Sequence, residues 1–295
     1  MRRLQLNQSE HGLSMSAFFR HAKMSRQAFY KALRKEEQRS DLIVRVSGQI
    51  RDYRQHIDRR AGMRSLFYNL CIKESYGIGV NKFEQLVSQA GLSLRPLRTK
   101  VVTTQSTYQS RNYPNLAKLS QVRGINQLVV GDLTYVSIGH SRFYLFCLTD
   151  VYSGRIVGHH LSKTMKAVDA LAALNQLVRL RGRKQVSGCM HHTDGGTQYF
   201  SKLYLDRLKD LKLIVSVAGN CLENGYAEQR NGLIKHHLLP TAKLSDDPAV
   251  LSRELKRIMG NYNHKRKQEN LGWLSPSEYE KRWEGHPGPP SITIK

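Results

Sequence analysis

Three β-rich apolar runs follow one another near residues 127–137, 142–149 and 155–161, with no helical stretch between them. A helical pattern then spans about 166–181, and the chain alternates: strand near 186–192, helix near 200–210, strand near 212–217, helices near 222–238 and 248–264. Short runs rich in Val, Ile, Leu, Phe and Tyr read as strands, and longer stretches with helical spacing read as helices. Three strands before the first helix, then alternation, specify a mixed five-stranded sheet with flanking helices, an α/β class. The 295 residues leave room for two or three domains and a sizeable core.

Asp132 stands inside the first of these runs, between Leu128, Val129 and Val130 on one side and Leu133, Tyr135 and Val136 on the other. Aspartate is depleted inside strands, so this carboxylate needs compensation, and a bound cation would supply it. Asp194 follows the fourth run and precedes Gly195 and Gly196, at the mouth of a loop. Glu228 lies in the helix expected near 222–238, where Asn224, Glu228, Asn231 and Lys235 recur on one polar face turned from the core. A hard cation such as Mg²⁺ takes one or two carboxylates and completes its shell with water and phosphate oxygens. Three carboxylates therefore suit two ions, one activating an attacking water or hydroxyl, the other stabilising the leaving oxygen at phosphorus. Asp132, between the other two, would bridge both. Taken singly, each residue also has an ordinary reading as an edge-strand Asp, an Asp-Gly-Gly turn and a solvated helix Glu.

The segments GDLTYV, LTDVYSGRIVG, HHTDGGTQY, ENGYAEQ and YNHKRKQENLGWLSPSEY resemble the core of the transposases of insertion-sequence family three, specifically the catalytic product of the second reading frame. The resemblance covers roughly residues 15–283. It implies an RNase H-like fold similar to that of retroviral integrases, and a catalytic, metal-holding triad at Asp132, Asp194 and Glu228. It further implies two Mg²⁺ ions, with Mn²⁺ as substitute, and double-stranded DNA as partner, both mobile-element ends and target. A homo-oligomer assembled on DNA and a first-frame product, as partner or fusion, complete the expectation. Lys235, two helical turns beyond Glu228, matches a position where the superfamily often has a basic residue contacting DNA near the cut; an ordinary surface lysine reads the same way. Three features depart from the family pattern. The gap from Asp194 to Glu228 holds 33 residues, two fewer than usual; Val129, Val130 and Gly131 stand where tryptophan is common; and Glu223-Asn224 replaces Asp-Asn.

Asp150 opens Asp-Val-Tyr-Ser-Gly and reads as a hairpin-turn residue, with a fourth site carboxylate as the alternative. His191 and His192 either orient the site or are buried at a strand end. Cys71, Cys147, Cys189 and Cys221 are too scattered for paired zinc spacing, which disfavours disulfides and structural zinc.

Lys and Arg total 47 against 23 Asp and Glu, a net charge of +24, as expected of a protein that binds a polyanion. The excess is steeper in residues 1–125, with 23 basic and 8 acidic residues, than in 126–295, with 24 and 15. Within the front part, Ser14 to Arg34 shows two short helical patterns separated near Lys23 and Met24, with Ser25 as cap of the second. Read as a helix-turn-helix, this makes Arg26, Gln27, Tyr30, Lys31 and Arg34 candidate DNA contacts; a solvated basic face is the alternative. The expected division is a helix-turn-helix-like segment over 1–40, a second helical DNA-binding unit over 41–98, a basic linker over 99–125, the catalytic core with its C-terminal helices over 126–283, and a loose tail over 284–295. The linker has no acidic residue and either lies extended on DNA or acts as a tether. Trp273, Pro276 and Tyr279 are expected to pack the terminal helix.

No long apolar span or signal peptide is present, so the chain reads as soluble, without a membrane partner, and cytoplasmic in a bacterium, associated with the nucleoid. The functional expectation is a DDE transposase that cleaves DNA at mobile-element ends and transfers the strand to target DNA. The alternatives are a catalytically silent DNA-binding regulator derived from a transposase, or an RNase H-like nuclease that does not join strands.

Overall fold

The computed structural model describes residues 15–95, 113–118, 120–219, 224–240 and 244–283, and the backbone of 292–293. Ser14, most of the linker, Cys221, Glu223 and most of the tail lie outside the described residues. Ser25 starts a 31-residue helix: its hydroxyl accepts from the Ala28 amide at 3.1 Å, satisfying a donor that a helix start leaves open. That helix, α2 (Arg26–His56), follows α1 (Met15–His21) across a turn in which Lys23 takes φ of 47°. The two helical patterns are therefore present, but α1 buries no residue and meets α2 through Phe18, Phe19 and Phe29 edge-to-face. α2 also runs straight through residue 40, where the first unit was expected to end. Its second half builds the next unit, with Val46, Ile50 and Tyr53 packed among Leu66 and Phe67 of α3 (Met63–Asn69), Ile72 of α4 (Ile72–Tyr76), and Phe83, Leu86 and Val87 of α5 (Val80–Gln89). Apolar residues at i, i+3 and i+4 give α5 its buried stripe.

The core sheet begins with β1 (Leu128–Ile138), which turns at Gly139, φ +57°, into antiparallel β2 (Ser141–Asp150). β3 (Ile156–Ser162) adds antiparallel to β2. The chain then crosses through α6 (Ala167–Arg181) to β4 (Met190–Thr193), parallel to β1, and through α7 (Lys202–Asp210) to β5 (Ile214–Val217), parallel to β4. The order β3-β2-β1-β4-β5 is the RNase H-like mixed sheet that the resemblance implied. Beyond β5 come α8 (Gly225–Leu233), which passes into a π-helical turn over Ile234–Leu238, then α9 (Pro248–His264) and α10 (Pro276–Arg282).

Period-two alternation sorts the side chains of β2 to opposite faces. Phe146 and Leu148 pack with Val129 and Val157 beneath Leu174 and Leu177 of α6 and Tyr204 and Leu208 of α7. Leu145 and Cys147 pack on the other face with Val136 and Ile156, beneath Ile234, Leu238 and Leu251, Leu255 and Tyr262 of α9. α6 comes so close that a Cβ on Gly158 would lie 2.3 Å from the Ala173 carbonyl oxygen.

Several expectations are corrected. The helix expected over 222–238 begins as α-helix at Gly225 and loosens at Ile234, and the strand expected from 186 starts at Met190, after a helical turn over Arg183–Val186. The end of the linker packs on the core: the Ser216 hydroxyl accepts from the Leu116 and Ala117 amides at 2.9 and 3.1 Å, and Ala117 and Val122 are buried. The tail is not wholly loose, because Ile292–Thr293 pairs antiparallel with Gln121–Val122.

Candidate active site

The parallel pairing of β1 and β4 runs to Gly131 opposite Thr193, so Asp132, within β1, and Asp194, just past the carboxyl end of β4, come side by side. Gly131 is needed there: a Cβ would come within 2.9 Å of the His191 ring and 3.0 Å of Leu148. Asp132 accepts from the Leu133 amide on Oδ1 and from Asn231 Nδ2 on Oδ2, both at 2.8 Å. Asp194 accepts from the Gly196 amide at 3.1 Å, in a turn where Gly195 takes φ of +79°.

These carboxylates are electrostatically uncomfortable. Burial first, then the charge of Asp194, and further the charge of Glu228, push the Asp132 carboxyl up to about 7 against the opposing hydrogen bonds from Leu133 and Asn231. Burial likewise raises Asp194, opposed by the Gly196 amide. Glu228 is exposed in α8, on the helix face shared by Asn224 and Asn231, which bond to Gly131 and Asp132. The polar face expected to turn away from the core thus lies against β1 at Gly131 and Asp132, with Lys235 half-buried and Glu228 in solvent. Among the described residues, no three His, Cys, Asp or Glu side chains stand close enough together to hold a metal ion. The structure brings the two aspartates together and places Glu228 within electrostatic reach of Asp132. Oxygen-only donors, one of them a carboxyl lifted by burial and then by its acidic neighbours, fit a hard divalent cation.

His191 is buried between the Val129 carbonyl, at 3.3 Å, and the Tyr204 hydroxyl, at 2.9 Å, and burial lowers it to about 4. His192 faces the Ser216 hydroxyl at 2.9 Å. Both histidines are interior strand residues. Asp150 is the turn residue: it is fully buried, accepts from the Asn126 and Ser153 amides at 2.8 and 3.1 Å, and lies 3.8 Å from Arg181.

Lys235 sits where α8 passes into the π turn, with Nζ 4.4 Å from the Tyr135 ring centroid. The five N-terminal candidates Arg26, Gln27, Tyr30, Lys31 and Arg34 line one groove on α2, and all are exposed. Trp273 does not pack the terminal helix but stacks on Tyr68 of α3, centroids 3.9 Å apart, whereas Tyr279 packs on Tyr152 as expected. Pro276 starts α10 behind a capping box of Ser275 and Glu278. Asn231 was legible on the polar face, but its bond to Asp132 spans 99 residues and carries no local signal.

Residues 123–220 match the integrase core domain, a span that includes both aspartates and stops short of Glu228. The chain is 36% identical over 160 residues to the transposase for insertion sequence element IS629 of Shigella sonnei, covering 54% of this chain and 53% of that one. It is 26% identical over 247 residues to the insertion element IS600 uncharacterized 31 kDa protein of Shigella sonnei, covering 78% and 90%. It thus spans about half the length of the IS629 relative. Among solved structures it is similar to the HTLV-2 integrase catalytic core domain in complex with magnesium, at 20% identity over 56% of this chain and 99% of that one, with a TM-score of 0.43. Among the described residues, no helix is long and apolar enough to cross a membrane.

Proposed function

We propose that this chain, an insertion-sequence transposase relative with an integrase core domain, cleaves DNA at the ends of a mobile element and transfers the freed strand into target DNA. The observation that carries the reading is the placement of Asp132, within β1, beside Asp194, just past the end of β4, with Asp132 clasped by Asn231 of the helix that bears Glu228.

Asp132 and Asp194, with Glu228, would hold Mg²⁺ or Mn²⁺. When bound, the ions supply Lewis-acid activation of the attacking oxygen and neutralise charge at phosphorus. The chain's own part is positioning. Asn231 and the Leu133 amide fix the Asp132 carboxylate, Asn224 anchors the start of α8 to β1, and the exposed basic face of α2 holds DNA by its phosphates. In hydrolysis, water oxygen bonds to phosphorus while the P–O3′ bond breaks, leaving a 3′-hydroxyl and a 5′-phosphate. In transfer, that hydroxyl attacks a target phosphodiester, one P–O bond replacing another, so no protein nucleophile or energy source is required.

The experiment is strand transfer of a labelled element end into plasmid DNA with Mg²⁺ or Mn²⁺, comparing wild type with Asp194→Asn and Glu228→Gln. The expected result is joined product from wild type, lost in both variants while DNA binding persists. Cleavage without joining would instead make the chain a nuclease, and binding without either reaction would make it a regulator. Because two ends must be held at once, the reading expects a homo-oligomer on DNA, alone or with a first-frame product.

A further inference from the structure

On the side of α8 away from Asp132 lies a cleft of about 760 Å³, between the N-terminal helical unit and the core. Arg64 of α3, Gln229 and Arg230 of α8, and Arg266, Lys267 and Trp273 of the loop after α9 line it. Four cations face this space against one acid, Glu269, whose pairing with Arg64 at 3.6 Å is solvent-exposed and weak. Arg266 is neutralised by Asp58, Nε to Oδ2 at 2.9 Å.

Arg230 is different. It is 9% exposed, and its hydrogen bonds among the described residues all go to neutral oxygens: Tyr262 and Gln268 at 3.1 Å, Tyr226 at 3.2 Å. Its buried Nε has no hydrogen-bond partner among the described residues. A buried guanidinium without a counter-charge is costly, and fold stability alone gives no reason to keep one. Lys267 Nζ has a thiol for a partner, Cys71 Sγ at 3.5 Å. Beside these two cations, the stacked rings of Tyr68 and Trp273 reach into a second cavity of about 520 Å³ that Lys267 also lines. Arg230 and Lys267 form no salt bridge among the described residues, though Glu278 feels the charge of Lys267 and Glu74 lines the second cavity. Cations next to an aromatic platform are the combination that grips a nucleic-acid strand by phosphate and base face.

We propose that this cleft binds the backbone of a DNA strand passing behind α8, with Arg230 and Lys267 on phosphodiester oxygens and Arg64 at the rim. The inference rests on the transposase reading and deepens it, since Arg230 is two residues from Glu228 and a phosphate held there would pin the helix that carries the glutamate.

The test measures affinity of the full chain for a labelled element-end duplex across a salt series, for wild type, Arg64→Glu, Lys267→Glu and Lys267→Gln, with Lys209→Glu on α7 as the remote control. Each cleft variant is expected to weaken binding and flatten the slope of log K against log salt by about 0.9 per lost contact, while the control falls less. Lys267→Gln, which adds no repulsion, should flatten the slope while melting with wild type. Cleft variants with wild-type slopes, from a wild type that still cleaves and joins DNA, would overturn the cleft and leave the transposase reading standing. A wild type that neither cleaves nor joins, with cleft variants still flattening the slope, would overturn the transposase reading and keep the cleft as a DNA site. Inorganic phosphate added at constant ionic strength separates the sources: competition with DNA only in proteins with an intact cleft supports the site, whereas phosphate binding lost in the variants with DNA slopes unchanged overturns it.

Discussion

At the scale of single residues, Asn231 does more for the site than its place on a polar helix face suggested. Its 2.8 Å bond to Asp132 is one of two interactions that restrain a carboxyl which burial and its acidic neighbours push up to about 7. Asn231→Ala removes that restraint, so Asp132 should hold its proton to higher pH and offer a carboxylate to a cation less readily. The expected loss of strand cleavage is about 10- to 100-fold, the usual cost of removing an outer-shell partner. It should be partly recovered by raising pH or Mg²⁺, and a rate profile against pH checks this. A loss equal at every pH, with a lowered melting temperature, would reduce Asn231 to a packing residue. Asp132 stands out in the sequence as a candidate because an acid inside an apolar strand violates local preference, and such violations concentrate at functional sites. Asn231 obeys local preference, so nothing local marked it.

At the scale of elements, the first three strands of the core were read nearly to their ends, because side-chain alternation and β-branched runs are local signals. The π turn at Ile234–Leu238 was not legible, since it arises where Ile234 and Leu238 seat against Val136 and Leu255, a demand of tertiary packing that overrides helical phase. The attachment of α10 was equally hidden. Glu280 accepts from Ser153 at 2.7 Å and from both Arg155 and Arg181, which ties the last helix to the β2–β3 turn across more than ninety residues of chain. Burial alone would raise its carboxyl, but the hydrogen bond and charge of Arg181, then Ser153 and Arg155, bring it below the usual range. A depressed folded-state pKa gives stability that is complete above the unfolded value, near 4.3, and is lost as pH falls through the folded value. Wild type should therefore melt progressively earlier below about pH 4. Glu280→Gln leaves Arg155 without its carboxylate and Arg181 with only Asp150, at 3.8 Å, and should cost about 3–5 kcal/mol at pH 7, with a flatter acid dependence. Melting curves over pH 3 to 7 decide it, and a variant as stable as wild type at neutral pH would sink the role given to this clamp.

At the scale of the whole molecule, the helical unit and the sheet have separate apolar cores, and what joins them is polar. Asp58 is fully buried after α2 and bonded to His237 and Arg266, each at 2.9 Å, while Asn261 donates to the His56 carbonyl at 2.9 Å and Lys267 to Asn69 at 2.8 Å. Burial would raise the Asp58 carboxyl, but the hydrogen bond from His237 and the charge of Arg266 lower it overall, so the joint is complete above the ordinary aspartate range and weakens in acid. Two cores held by a joint centred on this buried ion pair unfold together while the joint persists. Wild type at pH 7 should therefore melt in a single transition. Asp58→Ala, which leaves Arg266 buried without its partner, should split it into two, with a loss of about 3–5 kcal/mol falling on the less stable unit. Calorimetry reads this directly: a single transition in the variant, shifted but not split, would mean that the polar contacts at Asn69 and Asn261 and the Tyr68–Trp273 stack suffice to couple the units. In the proposed function the split matters, because the basic face of α2 and the two aspartates of the core belong to different units, and a DNA end gripped by one would reach the other only if the joint holds its angle. Asp58→Ala should accordingly depress strand cleavage more than it depresses DNA binding.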